Sequence, residues 1–245
     1  MLIIDRWGNT KNNTIRKLKN YFTKIILIDD KCKHTNYDLK INSLLSSKKK
    51  DLKFRKFKNL ILPSYLYKNF KIKKRNKKNI KNVFLSFGGY DKNSYEKIVL
   101  NFFKKKNYNL NLFIPSKNIS KLKKFKYKKL NIYYFSSKNF YKYLSKSDIS
   151  IVSGGLTLFD SIFFEIPTIC ITQYKHQYEN AKILKKYDAI LMINLNNINK
   201  SLMYNFNKLY KSYKIRKKLI FNGKKIINNN NMKNIINKIL KIYER

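Results

Sequence analysis

Residues 147–189, SDISIVSGGLTLFDSIFFEIPTICITQYKHQYENAKILKKYDA, read as strand, glycine loop, helix, strand, loop, helix, and no other stretch constrains the fold as much. Ile149, Ile151 and Val152 make a short β-branched run of the kind a buried parallel strand shows, and Ser153-Gly154-Gly155 interrupts it. A helical pattern begins at Leu156 and stops at Pro167, after which residues 168–172 resume as a strand. Glycines at such a bend let backbone approach a ligand. The helix that follows presents unsatisfied N–H groups and the positive end of its dipole, which favour phosphate. His176, Gln177 and Asn180 then cluster around the start of the next helix, and amides suit hydroxyl-rich ligands such as sugars.

Residues 82–145, just before it, alternate in the same way. Strands are expected over residues 82–87, 109–114 and 130–135, and helices over 93–105, 118–125 and 139–145. This alternation predicts an α/β fold with a parallel, doubly wound sheet and right-handed crossovers, whose ligands bind beyond the carboxyl ends of the strands. Gly88-Gly89 follows the first of these strands and Gly154-Gly155 the fourth. Earlier, residues 2–5, 11–22 and 24–29 read as a β-α-β unit, with shorter strands over 37–41 and 59–62 and a basic, glycine-free connector over 71–81. The expected division is therefore residues 1–75 and 76–245, the second part ending in a basic helical tail from residue 196 with a break at 228–231.

Gly155-Leu156-Thr157 with Asp160, Pro167, Gln177 and Asn180-Ala181 resembles the C-terminal nucleotide-binding half of GT-B enzymes acting on UDP-sugars. The resemblance is to the UDP-sugar hydrolase of pseudaminic acid synthesis and its spore-coat polysaccharide homologues, and more distantly to the lipid II N-acetylglucosaminyltransferase. Three segments add to it in the right order: Asp29-Asp30 with His34 and Asp38, Leu62-Pro63-Ser64-Tyr65-Leu66 with Phe70, and Phe87-Gly88-Gly89-Tyr90-Asp91. It implies two Rossmann-type lobes with parallel sheets. Residues 2–5 resemble the family's middle strand and no G-x-G-H-x-x-R loop precedes them, so the N-terminal lobe is expected to be incomplete.

By this resemblance the nucleotide-sugar is held by Gly88, Gly89, Asp91, Gly154, Gly155, Leu156, Thr157, Asp160, His176, Gln177 and Asn180. Each has a plainer reading. The glycines can simply turn the chain, Asp160 can complement the dipole in the first turn of its helix, and Gln177 and Asn180 can cap the helix after Tyr174. His34 is a weak candidate for acid/base work, set against a solvent-exposed loop residue; otherwise the catalytic group is unassigned. No metal-ligand spacing, Walker loop or nucleophile context occurs, so neither metal nor cofactor is expected.

Fifty-six Lys plus Arg against 13 Asp plus Glu give a net charge of +43. Such an excess points to nucleic acid or an anionic membrane surface. Lysine is, however, interleaved with Asn, Ile, Tyr and Phe along the whole length, all residues of A/T-rich codons, and base composition accounts for it first. No recognition helix or zinc pattern singles out a specific nucleic acid. Cys32 and Cys170 read as a loop thiol and a buried strand residue rather than a disulfide, which fits a reducing cytoplasm. No apolar run is long enough to span a bilayer, so a cytoplasmic protein, or one peripheral at the inner membrane surface, is expected.

The functional expectation is a UDP-sugar-binding enzyme of surface-glycan biosynthesis, for pseudaminic acid or a related sugar, that hydrolyses the UDP-sugar and releases UDP. Its alternatives are a glycosyltransferase with a UDP-sugar donor and a catalytically impaired fragment whose other half is separately encoded; a basic scaffold or nucleic-acid binder ranks last.

Overall fold

The computed structural model describes residues 1–33, 36–42, 57–59, 79–91, 93–115, 122, 125, 127, 129–135, 137–227 and 230–244. They form two units, Met1–Leu62 with Asn228–Arg245, and Pro63–Ile227. His34, the 62–70 motif, most of the 71–81 connector and most of the helix expected over 118–125 lie outside the described residues.

In the first unit, β1 (Leu2–Gly8), β2 (Ile25–Asp30), β3 (Leu39–Asn42) and β4 (Phe57–Asn59) pair in parallel in that order. Apolar residues on both faces of β2 need cover on both. Helix α1 (Asn12–Lys19) buries Ile15 in a cluster with Ile25, Leu27, Cys32 and Tyr37. Helix α8 (Asn230–Tyr243) buries Ile235 in a second cluster with Ile26, Leu39 and Ile41. Each fully buried aliphatic side chain contributes about 1.5–3 kcal/mol. The end of the chain thus groups with the first unit, whereas the sequence-based division kept the whole tail with residues 76–245. Cys32, expected as a loop thiol, is buried in the α1 cluster.

The second unit holds β5 (Asn82–Ser86), α2 (Tyr95–Phe103), β6 (Asn109–Ile114), β7 (Leu130–Tyr134), α3 (Ser137–Lys146), β8 (Ile149–Val152), α4 (Leu156–Phe163), β9 (Thr168–Cys170), α5 (Lys175–Lys186), β10 (Leu191–Met192), α6 (Ile198–Lys211) and α7 (Tyr213–Ile226). The sheet order is β10-β9-β8-β5-β6-β7, parallel throughout. Strand order reverses between β5 and β8, which makes their carboxyl ends the switch point of a doubly wound sheet.

Strand alternation divides β5 between two layers. Val83, Leu85 and Phe87 join Tyr95, Val99 and Phe103 of α2 and Phe206 of α6 in one core. Phe84 faces the other way, stacked on Phe113 with ring centroids 5.2 Å apart and edge-on to Phe140 of α3 at 5.1 Å. Tyr141 of α3 lies 6.2 Å from Phe164 at the end of α4, so α3 and α4 share this second face. At the amino end of the sheet, Asp148 accepts the backbone N–H groups of Lys81 and Asn82, both at 2.8 Å, which ties the start of β5 to the start of β8. Among the described residues no helix is long and apolar enough to cross a membrane.

Candidate functional site

Two glycine loops leave the switch point side by side. The Ser153 N–H donates to the Ser86 carbonyl at 3.0 Å, joining the last residue of β5 to the loop after β8. Gly88 adopts φ +82°, a left-handed conformation that disfavours any other residue, and a Cβ there would lie 3.6 Å from Ser153 Oγ. Gly89 faces open space, with nothing within 4 Å of an added Cβ.

The glycines after β8 differ from one another. A Cβ on Gly154 would sit 2.7 Å from the Gln177 carbonyl oxygen, so its missing side chain is what lets the first turn of α5 close on the loop. Gly155 is the N-cap of α4, and a Cβ there would meet only Gln177 Nε2 at 4.0 Å. The fold thus leaves the side-chain position of Gly155 clear at the N-terminus of α4, where no side chain caps the helix. Leu156 follows, 61 % exposed, with Thr157 half-buried behind it.

Amide side chains knit a third loop to these two. Gln173, just beyond β9, donates from Nε2 to the Phe87 carbonyl at 2.6 Å, and its own N–H donates to Gln177 Oε1 at 2.9 Å. Gln177 is the third residue of α5 and reaches back past its start, a capping arrangement that also turns its Nε2 toward Gly155. Asn180 is fully buried one turn on. His176 lies parallel to Tyr174, centroids 5.7 Å apart, on the first turn of the same helix.

Two acids lie in or beside these loops, and one of them departs from its plainer sequence reading. Asp160 is buried in the second turn of α4; the first turn carries no acid, because Asp160 is the fifth residue of a helix that starts at Leu156. The dipole account of Asp160 therefore fails. Asp91 closes the Gly88-Gly89 loop by accepting the Glu96 N–H at 2.8 Å on Oδ2, since Ser94, at φ 53°, caps α2 without its own side chain. Its Oδ1 is buried without a partner, and burial pushes its pKa up to about 6.

In the first unit, Asp30 accepts N–H groups from Thr10 and Cys32 and the Thr10 hydroxyl. Burial alone would raise its pKa, but these donors outweigh it and hold the carboxyl below its ordinary value. Asp38 accepts the Ile25 N–H at 2.8 Å. Asp30 and Asp38 of the Asp29-Asp30/Asp38 segment thus tie backbone together. The Cys170 thiol is fully buried on β9 and pushed far above its usual pKa, which makes it a poor nucleophile. Among the described residues no three His, Cys, Asp or Glu side chains converge as a metal cluster.

Sequence reasoning missed Ser86, Ser153 and Gln173. Their signal was position alone, polar side chains at the carboxyl ends of apolar strands. It also passed over Tyr90, 63 % exposed beside Gly89, which with Leu156 leaves an aromatic and an aliphatic side chain at the rim of the loops.

The model of the glycosyltransferase family 28 C-terminal domain matches residues 39–239. The chain belongs to this family. Among curated proteins, the family 28 chain is 24 % identical over 104 residues to the spore coat polysaccharide biosynthesis protein SpsG of Bacillus subtilis, covering 42 % of the chain and 31 % of SpsG. It is 28 % identical over 204 residues to the uncharacterized protein MJ1062 of Methanocaldococcus jannaschii, covering 73 % of the chain and 41 % of that protein. The chain thus spans less than half the length of the curated relatives it matches. Two solved structures share the fold: MurG of Acinetobacter baumannii, with TM-score 0.64 and 13 % identity over 93 % of this chain and 70 % of MurG, and the spinosyn rhamnosyltransferase SpnG complexed with thymidine diphosphate, with TM-score 0.65 and 12 % identity over 91 % of this chain and 68 % of SpnG. The family 28 chain is therefore an α/β protein with parallel, Rossmann-like sheets, a GT-B fold.

Proposed function

We propose that this chain binds a UDP-sugar at the carboxyl ends of β5 and β8 and serves as the donor half of a glycosyl transfer. The observation that carries this reading is the meeting of the two glycine loops at the switch point, with Gly155 opening the N-terminus of α4. The diphosphate lies against Gly88-Gly89 and the first N–H groups of α4, and the ribose and sugar hydroxyls face Asp160, Gln177 and Asn180. In the reaction the bond from the anomeric carbon to the diphosphate oxygen breaks, an acceptor hydroxyl oxygen bonds to that carbon, and its proton passes to a base. UDP leaves with the charge that develops on it met by preorganised N–H groups and the helix dipole. The family description and the name of SpnG favour transfer over the hydrolysis expected first. The likeness to SpsG favours a polysaccharide product.

Calorimetric titration tests this. UDP should bind more tightly than pyrophosphate at matched ionic strength, although pyrophosphate carries more charge. Saturation to about 100 times Kd should stabilise the protein by roughly 2.7 kcal/mol. Gly155→Val places two methyl groups where the fold leaves room, so it should abolish UDP binding and leave the protein folded. If UDP shows no advantage over pyrophosphate, the positive charge of the chain is what binds it and the proposal fails.

A further inference from the structure

Strand β5 ends in a serine that the fold does not use. Ser86 is fully buried, and its Oγ has no hydrogen-bond partner. Its backbone lies between two strands, in register with Phe113 on one side and Val152 on the other, and its carbonyl accepts the Ser153 N–H. A hydroxyl enclosed in this way lowers the stability of the empty protein, and alanine would fill the position without that cost.

Alternation along β5 says which way this hydroxyl faces. Val83, Leu85 and Phe87 pack with α2, so Ser86 shares the opposite face with Phe84, the face covered by α3 and α4. It stands at the last position of its strand, on the same side of the sheet as the helix whose N-terminus opens at Gly155. Asp91 Oδ1 is the other orphan beside this loop, so unpaired polar atoms bracket Gly88-Gly89 on both sides in sequence. The carboxylate repels an anion, while a hydroxyl can donate to one.

We propose that Ser86 is an anion-positioning residue, whose hydroxyl donates to a phosphoryl oxygen of the ligand at the switch point. The inference rests on the UDP-sugar reading and adds to it a buried donor below the glycine loops. A charge-assisted O–H···O bond in a site closed to water is among the stronger hydrogen bonds, and it forms only when the ligand is present. Ser86 therefore trades stability of the empty protein for affinity.

The test is Ser86→Ala in the full chain, read in two ways. Affinity for UDP and for pyrophosphate should each fall about tenfold, equivalent to roughly 1.4 kcal/mol. The melting temperature without ligand should stay level or rise. Parallel loss of both affinities locates the effect at the phosphates, whereas a residue acting on the nucleoside would weaken UDP alone. If the wild type binds UDP and Ser86→Ala binds it within twofold, the inference is overturned and the UDP-sugar reading stands. A variant that loses stability together with affinity also overturns it, because the hydroxyl would then be supporting the empty fold. If the wild type shows no preference for UDP over pyrophosphate, the UDP-sugar reading itself has failed.

Discussion

A side chain on Gly154 would have its first carbon 2.7 Å from the carbonyl oxygen of Gln177 and 2.8 Å from Gln177 Cβ. Neither atom can swing away, because both belong to the first turn of α5. Gly154→Ala should therefore displace α5 from the loop, costing roughly 1–3 kcal/mol and weakening UDP binding as a consequence. Gly155→Ala should leave the melting temperature within a degree or two. Differential scanning calorimetry of the two variants separates the glycine kept for packing from the one kept clear; equal destabilisation would refute the distinction.

Gly223 of α7 presents the same problem between two helices. A Cβ there would come within 2.6 Å of Ile162 Cγ2 on α4, and a β-branched side chain has little freedom at χ1. Gly223→Ala should destabilise the second unit by about 1–3 kcal/mol. The same substitution in an Ile162→Ala background should cost markedly less, with a coupling of at least 0.5 kcal/mol. Additive effects in urea unfolding would show that the two helices do not rely on this close approach.

Arg216 is buried at the start of α7 and donates from Nη1 to the carbonyls of Leu209 and Tyr210, the last turn of α6, the latter at 3.2 Å. Its guanidinium also lies 5.4 Å from the Tyr213 ring. One side chain thus satisfies carbonyls that a helix end leaves open. Arg216→Ala should cost roughly 2–3 kcal/mol, and Arg216→Lys should recover only part of it, because an ammonium lacks the planar fork. Full rescue by lysine in thermal melts would reduce the role to charge alone.

Asp91 makes stability depend on pH in a sense opposite to most carboxylates. Its folded pKa is raised to about 6 from an ordinary 3.8, so the folded state holds the proton more tightly than the unfolded chain. Stability should therefore fall as pH rises from about 4 to about 6, and the penalty, roughly 1–3 kcal/mol, persists above that. Asp91→Asn keeps an acceptor for the Glu96 N–H without the charge. The difference between wild-type and Asp91→Asn melting temperatures should be small at pH 4 and favour the variant by several degrees at pH 7.5. A difference independent of pH would contradict the buried charge.

The architecture of the second unit was largely legible, because a strand covered on both faces must be almost wholly apolar, as 83–85 is and as 149–152 is apart from Ser150, whose hydroxyl pairs with that of Thr168, and the glycine loops mark its ends. The role of Gly154 was not, since a glycine kept for phosphate and one kept for the Gln177 backbone both show only as a missing side chain. Asp160 was misplaced by counting alone, since α4 starts at Leu156 as expected and its fifth residue lies past the 3.6 residues of one turn. Gln173 carries no motif, and its bonds to Phe87 and Gln177 exist only once β5, β9 and α5 are assembled. The apolar face of α8 was readable as a helix face, but nothing local in Ile235, Ile239 and Ile242 says which sheet they cover.

Because Ile235 belongs to the cluster of Ile26, Leu39 and Ile41, the first unit is built from two segments with the uninterrupted span Pro63–Ile227 between them. A ribosome releases the strands of this sheet well before the helix that covers one of its faces. That face stays open while Pro63–Ile227 is synthesised, and the intervening span can close on itself in the meantime. The order of synthesis and the order of completion therefore run in reverse, and synthesis interrupted before Asn230–Tyr243 leaves the earlier unit unfinished rather than the later one.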